Sequence, residues 1–293
     1  MKYHVYIFVF FIQSIFTLLY LPAAEIIEPI HIGSIERVLD IFAHITDRDF
    51  VVCDIDNTLM ESSEPIEQTR FLKNQALQNN KEEFADRLKK NFLREEYNQF
   101  LLQRKLQTKP QPVESRFIAE INKLIDRTVP VISLTYRTSG IPLTMNLKSE
   151  NFTYQQLRDI GIDLSQSFAM DNQYLDDLVN NDMTSPLFHN GIIFCNSFQK
   201  GLVLKSFIKK TGWNPKTIFF FDDDEANAIL VANEMAGMGF ECHTYIYEAA
   251  QITNTTNSFN MDVIQYQHQL MLGQKKYISY ADAATLLSES QNK

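Results

Sequence analysis

Glycine is scarce in this 293-residue chain, with 9 residues, and tryptophan occurs once. Roughly 3% glycine against the usual ~7% excludes collagen-like and glycine-linker architectures. Cysteine is limited to Cys53, Cys195 and Cys242. Three scattered cysteines do not build a disulfide framework. Each lies in an apolar run, which predicts buried free thiols. Positive charge is also in deficit: 27 basic residues stand against 36 acids, a net charge of −9. An acidic balance argues against nucleic acid as a general partner. The histidines, His4, His31, His44, His189, His243 and His268, show no zinc-ligand spacing. No Gly-x-Ser-x-Gly elbow marks a serine hydrolase. Apolar residues are not lacking. At 45% of the chain they exclude disorder as a description of the whole. The length allows one large domain, or a core domain carrying an insertion.

The N-terminus reads separately. Lys2 precedes an apolar run from Val5 to Leu21, interrupted by Gln13, Ser14 and Thr17. Leu21-Pro22-Ala23-Ala24 follows, then Glu25. A basic start, an apolar stretch and a small-residue exit predict a secretory signal peptide over residues 1–24. The run is shorter than the about 20 residues of a membrane span. The expectation is a secreted or periplasmic protein without stable membrane association once the signal is cleaved. An uncleaved anchor is the alternative.

Hydrophobic periodicity then alternates between strand and helix. Ser34 is placed to cap a helix over Ser34–Ile45, with Ile35, Val38, Leu39, Ile41 and Phe42 as its apolar face. Phe50-Val51-Val52-Cys53 predicts a buried strand. From Ile66 to Lys109 there is neither glycine nor proline in 44 residues, and apolar residues recur at helical spacing, which predicts two or three helices. Pro110 and Pro112 break that pattern. A helix over Glu114–Asp126 leads to a strand over Val129–Leu134. A helix over Asn151–Ile160 is followed by two short apolar runs, Ser167–Met170 and Gly191–Cys195, of strand length. Lys200–Lys210 reads as a helix stopped by Gly212. Thr217–Phe221 is the next strand, followed by a helix over Ala226–Met238 and a strand over Cys242–Tyr247. Asp262–Leu272 and Tyr280–Ser288 are helix candidates.

Apolar strands alternating with helices predict a parallel α/β sheet. In such sheets a site lies beyond the C-terminal strand ends. Here those ends carry Asp54 and Asp56, Thr135, and Asp222 with Asp223. A carboxylate at a strand tip can attack phosphorus and form an aspartyl-phosphate. A second carboxylate nearby can protonate the leaving group and later activate water. Thr58 can tie the intervening loop, although an acidic loop capping the next helix would look the same. Asp222 and Asp223 are mutually repulsive without a cation. Mg²⁺, which takes carboxylate and phosphate oxygens, suits such a pair; an acid-rich helix N-terminus is the other reading, and fits Asp224 and Glu225. Lys200 opens a helix, where a cation and free N–H groups together suit an anion, although taken alone an ordinary surface lysine is the plainer reading. The Thr135 hydroxyl and the backbone amides after it can hold a phosphate oxygen, although a threonine at a strand end is common. Arg137, two residues on, has either a substrate or a purely structural role.

Taken in order, four runs resemble the motifs of the haloacid dehalogenase-like (HAD) superfamily. They are Phe50-Val51-Val52-Cys53-Asp54-Ile55-Asp56-Asn57-Thr58, Val131-Ile132-Ser133-Leu134-Thr135, Lys200-Gly201, and Ile218-Phe219-Phe220-Phe221-Asp222-Asp223. A closer resemblance is to an uncharacterised, often secreted HAD-like family of bacteria. It is carried by Leu134-Thr135-Tyr136-Arg137, Leu157-Arg158-Asp159-Ile160-Gly161-Ile162-Asp163, Asn190-Gly191-Ile192-Ile193-Phe194 and Asp222-Asp223-Asp224-Glu225-Ala226-Asn227. The resemblance implies a Rossmann-like (HAD-like) three-layer parallel sheet with a helical cap insertion. It implies Mg²⁺-dependent phosphoryl transfer with Asp54 as nucleophile and Asp56 as general acid and base. Thr135 and Lys200 would bind the phosphoryl group. Asp222 and Asp223 would hold Mg²⁺ together with Asp54 and the backbone carbonyl of Asp56.

The expected organisation is a signal over 1–24, an α/β core over 25–64 and 128–293, and a helical cap over 65–127. Residues 66–109 hold ten basic and six acidic side chains, a net of +4. A basic lid would attract anionic substrates, and a solvated helix face is the plainer reading. The expected function is an exported phosphomonoester hydrolase acting on a small phosphorylated substrate. The alternative is a secreted binding or effector protein whose chemistry is incidental.

Overall fold

A computed structural model describes residues 28–68, 84–168, 170–179, 184–252 and 259–291. The expected signal peptide, residues 1–24, and part of the expected helical stretch, residues 69–83, lie outside the described residues.

An eight-stranded sheet runs in the order β1 (Ile30–Ile32), β12 (Glu241–Tyr247), β11 (Thr217–Asp222), β2 (Phe50–Cys53), β5 (Val131–Thr135), β10 (Ile192–Phe194), β9 (Leu187–His189) and β8 (Gln173–Tyr174). Neighbours from β1 to β10 are parallel. The last two strands join antiparallel. β2 is buried at all four positions, β5 at all five and β11 at all six. That is the signature of strands covered on both faces.

The side-chain alternation of each strand divides the core. Val51, Cys53, Phe219, Phe221 and Tyr245 face one apolar cluster, shared with Phe42 of helix α1 (Leu39–His44). Phe50, Val52, Ile218 and Phe220 face the other cluster. Each fully buried Val or Phe of this kind contributes roughly 1.5–3 kcal/mol. The fold is thus a mixed α/β architecture, a mostly parallel central sheet with helices on both faces, consistent with a Rossmann-like arrangement.

Between β2 and β5 the chain leaves the sheet and returns. Strand β3 (Met60–Ser62) and strand β4 (Pro110–Pro112) pair antiparallel, joining the outgoing and returning segments. The Gln111 amide donates to Glu61 across this pair at 2.8 Å. Pro110 and Pro112, expected only to break a helix, are tolerated because this ladder has only two strands and leaves their missing donors at an edge. The excursion carries helices α2 (Phe84–Asn91) and α3 (Arg94–Gln107).

The 65–127 stretch, expected as one insertion, is divided between two cores. Helix α4 (Ser115–Asp126) packs Phe117, Ile118, Ile121 and Leu124 on the sheet. Phe92 and Phe100 belong instead to a third cluster with Val263, Met271, Tyr277, Ile278 and Ala283 of the chain's last segment. Glu64, at the root of the excursion, accepts from the Gln267 amide and the Tyr280 N–H. The tail therefore packs with the insertion.

After β5 come the hairpin β6 (Pro142–Thr144) and β7 (Leu147–Lys148), then helix α5 (Ser149–Asp159). The expected strand at Ser167–Met170 does not form in its described residues. Phe168 turns inward among Phe50, Phe188, Phe207 and Trp213, and burying that ring replaces edge pairing. Helix α6 (Lys200–Thr211) ends at Gly212, whose φ of 65° supplies the left-handed cap. Helix α7 (Glu225–Ala236) is capped by the Asp224 carboxylate, as the acid-rich reading anticipated. The chain closes with helices α8 (Met261–Gln274) and α9 (Tyr280–Gln291). The three cysteines are buried free thiols. Among the described residues no helix is long and apolar enough to cross a membrane.

Candidate active site

The parallel register brings the polar strand ends to one edge. Cys53 pairs with Phe221 on one side and Ser133 on the other. Asp54 and Asp222 follow directly, and Thr135 lies two residues beyond Ser133 at the end of β5. Asp54 anchors itself to β11 through its N–H, which donates to the Phe221 carbonyl at 2.8 Å.

Beyond Asp54 the chain makes a tight turn. Asn57 adopts φ 62°, the left-handed region that asparagine tolerates. Its N–H donates to the Met60 carbonyl, and the Leu59 and Met60 N–H groups donate to Ile55. Thr58 does not tie this loop as expected. Its hydroxyl is buried without a hydrogen-bond partner, and backbone bonds hold the turn instead.

Asp54, Asp222 and Asp223 place carboxylate oxygens within 4.8 Å of one another. Lys200 lies among them, 1% exposed. Its Nζ is 2.6 Å from Asp54 Oδ1 and 2.7 Å from Asp222 Oδ2. The ring of Tyr136 lies 5.4 Å from the same ammonium. Asp222 is fully buried, and its other oxygen accepts from the Asp224 N–H and the Asn227 amide. Lys200 reaches this place because α6 begins there. Gly201 permits it: a Cβ at that position would lie 2.6 Å from the Leu230 carbonyl of α7.

Three carboxylates facing one ammonium leave the cluster short of positive charge. Burial pushes the Asp54 carboxyl well above the ordinary range. Lys200 pulls it back in part, and Asp222 and Asp56 add to the rise. Asp223, which is only partly buried, is pushed up to about 6, first by burial and then by Asp222, against the pull of Asn57 and Lys200. Burial would lower the Lys200 ammonium, but Asp54 and Asp222 raise it above its usual value. A hard divalent cation with oxygen preference is the complement of this donor set. Asp54 and Asp223 are the carboxylates best able to hold it; Asp222 already serves Lys200, Asp224 and Asn227.

Asp56 points elsewhere. Arg137 grips both its oxygens, with Nε at 2.8 Å from Oδ2 and Nη2 at 2.6 Å from Oδ1. Nη1 of the same guanidinium donates to Gln156 at 2.7 Å and Thr153 at 3.3 Å, both on α5. Burial alone would raise the Asp56 carboxyl. The charge and paired bonds of Arg137 outweigh it and hold the group below its ordinary value. Thr135 is buried, and its hydroxyl accepts the Arg137 N–H at 3.2 Å. The loop beyond is held from two sides. Asn196 accepts the Ser139 N–H, and Glu150 accepts the Gly140 N–H.

All the residues expected at the site thus lie along one sheet edge. Three positions were not legible. Asn227 supports Asp222 from the first turn of α7, Asn57 bonds Asp223, and Lys105 of α3 acts electrostatically on Asp56 and Arg137. Asn227 and Asn57 stand inside motif runs but carry no spacing signal. Lys105 is one of ten basic residues in its stretch, and only its tertiary approach to Phe152 of α5 singles it out.

A family model described as a protein of unknown function (DUF2608) matches residues 32–283. No curated protein and no solved structure matches the chain.

Proposed function

This chain belongs to the DUF2608 family, and we propose that it is an exported, Mg²⁺-dependent phosphomonoester hydrolase of the HAD-like kind. One observation carries the reading: Asp54 stands at the end of a central strand, within 4.8 Å of Asp222 and Asp223, with the buried Lys200 ammonium 2.6 Å away.

In this reading a carboxylate oxygen of Asp54 attacks the phosphorus. A bond forms between that oxygen and phosphorus while the ester bond breaks, and the leaving oxygen takes a proton from Asp56. Water then attacks the aspartyl-phosphate and gives its proton to Asp56. Orthophosphate departs and the Asp54 carboxylate is restored. Asp54 and Asp223, with the Asp56 carbonyl and Asp222 beside them, would hold Mg²⁺, which would supply positive charge to offset the carboxylates and the phosphoryl oxygens.

The chain's own residues do the remainder. Lys200 has three N–H donors and spends two on Asp54 and Asp222, which leaves one for a phosphoryl oxygen. Thr135 accepts from Arg137, so its O–H is free to donate. Asp56 must leave Arg137 to carry a proton, because the ion pair favours the ionised carboxylate. Helices α2 and α3 with the tail helices form the body that would serve as the cap.

Hydrolysis of a phosphomonoester panel by the full chain with Mg²⁺, beside Asp54→Asn, tests the reading. Turnover that disappears in Asp54→Asn supports it. Wild-type rates no higher than those of the variant across the panel would sink it.

A further inference from the structure

Two cations from separate elements act on Asp56. Arg137 comes from the loop after β5 and is fixed by Thr153 and Gln156 of α5. Lys105 comes from α3 of the excursion. Its ammonium sits 5.8 Å from the ring centre of Phe152, the residue next to Thr153 on α5. Among the described residues, no carboxylate lies within ion-pairing distance of Lys105. The single carboxylate near both cations is Asp56, and Arg137 already occupies both its oxygens.

We infer that Arg137 and Lys105 form a subsite for a second anionic group on the substrate. The preferred substrates are phosphomonoesters whose leaving group bears a carboxylate or another phosphate. This rests on the phosphatase reading and narrows its substrate class.

The charge count supports it. Asp56, gripped by Arg137, is the one carboxylate that acts on Lys105, and Arg137 also feels Asp54, so the charge left without a direct partner here is that of Lys105. Both cations are partly dehydrated, Arg137 with 18% of its side chain exposed. Burial lowers the Lys105 ammonium first and the Arg137 charge lowers it further, with Asp56 offsetting only part. A second anion would relieve that repulsion. It would also compete with Asp56 for the Arg137 fork, which is built to take two oxygens at once. Phe152 supplies an apolar wall beside the Lys105 head, where the carbon skeleton between the two anionic groups can lie.

Non-hydrolysable ligands separate this inference from the reading beneath it. Methylphosphonate and a series of phosphonocarboxylates with one to three methylenes are titrated by calorimetry into the full chain with Mg²⁺. At least one phosphonocarboxylate is expected to bind about tenfold or more tightly than methylphosphonate, the size of one charge-assisted pair. Lys105→Met should shrink that ratio to about threefold or less, and Lys105→Arg should keep most of it; melting curves check that both variants fold. Equal affinities in the wild type, or an undiminished ratio in a folded Lys105→Met, would overturn the subsite while leaving the phosphatase reading standing. If neither ligand class binds, both fall.

Discussion

Arg137 holds Asp56 by both carboxylate oxygens, at 2.8 and 2.6 Å, from the next strand end across the sheet. The pair joins two loops that the sequence separates by 81 residues. It also favours the ionised form of the Asp56 carboxyl, the candidate proton carrier.

Replacing Arg137 by Gln should move the acid limb of stability. Arg137 holds the Asp56 carboxyl below its ordinary value in the folded protein. Such a group adds stability that is present above the unfolded carboxyl value near 3.8 and is lost as pH falls through the lower folded value. The Asp56 side chain is 54% exposed, so screening limits the effect to about 0.5 kcal/mol. Urea unfolding between pH 2.5 and 7 would show it: the wild-type advantage over Arg137→Gln should shrink only toward the acid end. An advantage that grows as pH falls would contradict the assignment.

Lys200→Met should cost much more. It leaves Asp54 and Asp222 buried with their shared ammonium removed, and breaking a buried pair costs roughly 3–5 kcal/mol. Adding Asp54→Asn to Lys200→Met should recover part of the loss, since one uncompensated charge is removed. A double-mutant cycle by chemical denaturation measures that coupling, expected at about 1 kcal/mol or more. Strict additivity would mean that the 2.6 Å contact is energetically inert.

Mg²⁺ should stabilise the protein in a pH-dependent way. Without a cation, Asp223 titrates at about 6 in the folded chain against 3.8 in the reference state. A raised carboxyl contributes stability below the unfolded value and loses it as pH rises through the folded one. Stability of the chelated protein should therefore decline between about pH 4 and 6. Mg²⁺ competes with that proton, so its stabilisation should be greatest above pH 6 and fade below it. At a hundredfold excess over Kd the gain is about 2.7 kcal/mol. Thermal melts with Mg²⁺ or EDTA, on wild type and Asp223→Asn, test this. The same Mg²⁺ gain at pH 5 and pH 7.5, or in Asp223→Asn, would count against it.

Gly201→Ala sets propensity against packing. Alanine in a helix is favoured over glycine by about 1 kcal/mol. Here its Cβ would lie 2.6 Å from the Leu230 carbonyl and 3.0 Å from Glu234 Cγ. Overpacking of this kind costs typically 1–3 kcal/mol. The variant should be less stable than wild type, and the shift of α6 should carry Lys200 away from Asp54. A Tm at or above wild type would show that α7 yields freely.

The amino-acid sequence by itself determined the strands, most helices and the polar strand ends. Runs such as Phe50–Cys53 and Thr217–Phe221 are too apolar to sit anywhere but between two layers. Their abrupt passage into Asp54 and Asp222 marks the edge where a site can form. Gly212 and Asp224 declared the ends of their helices through local chemistry alone. What only the tertiary structure decided was who meets whom. No local pattern tells that Phe168 becomes a core ring rather than a strand residue, because that choice depends on the space left by Phe50 and Phe207. Nor does any pattern pair Arg137 with Asp56, bring Lys105 over Phe152, or join the tail helices to the insertion across Phe100 and Tyr277. Those contacts depend on the parallel register and on how the helices fold back over it, and periodicity within a single element carries no record of either.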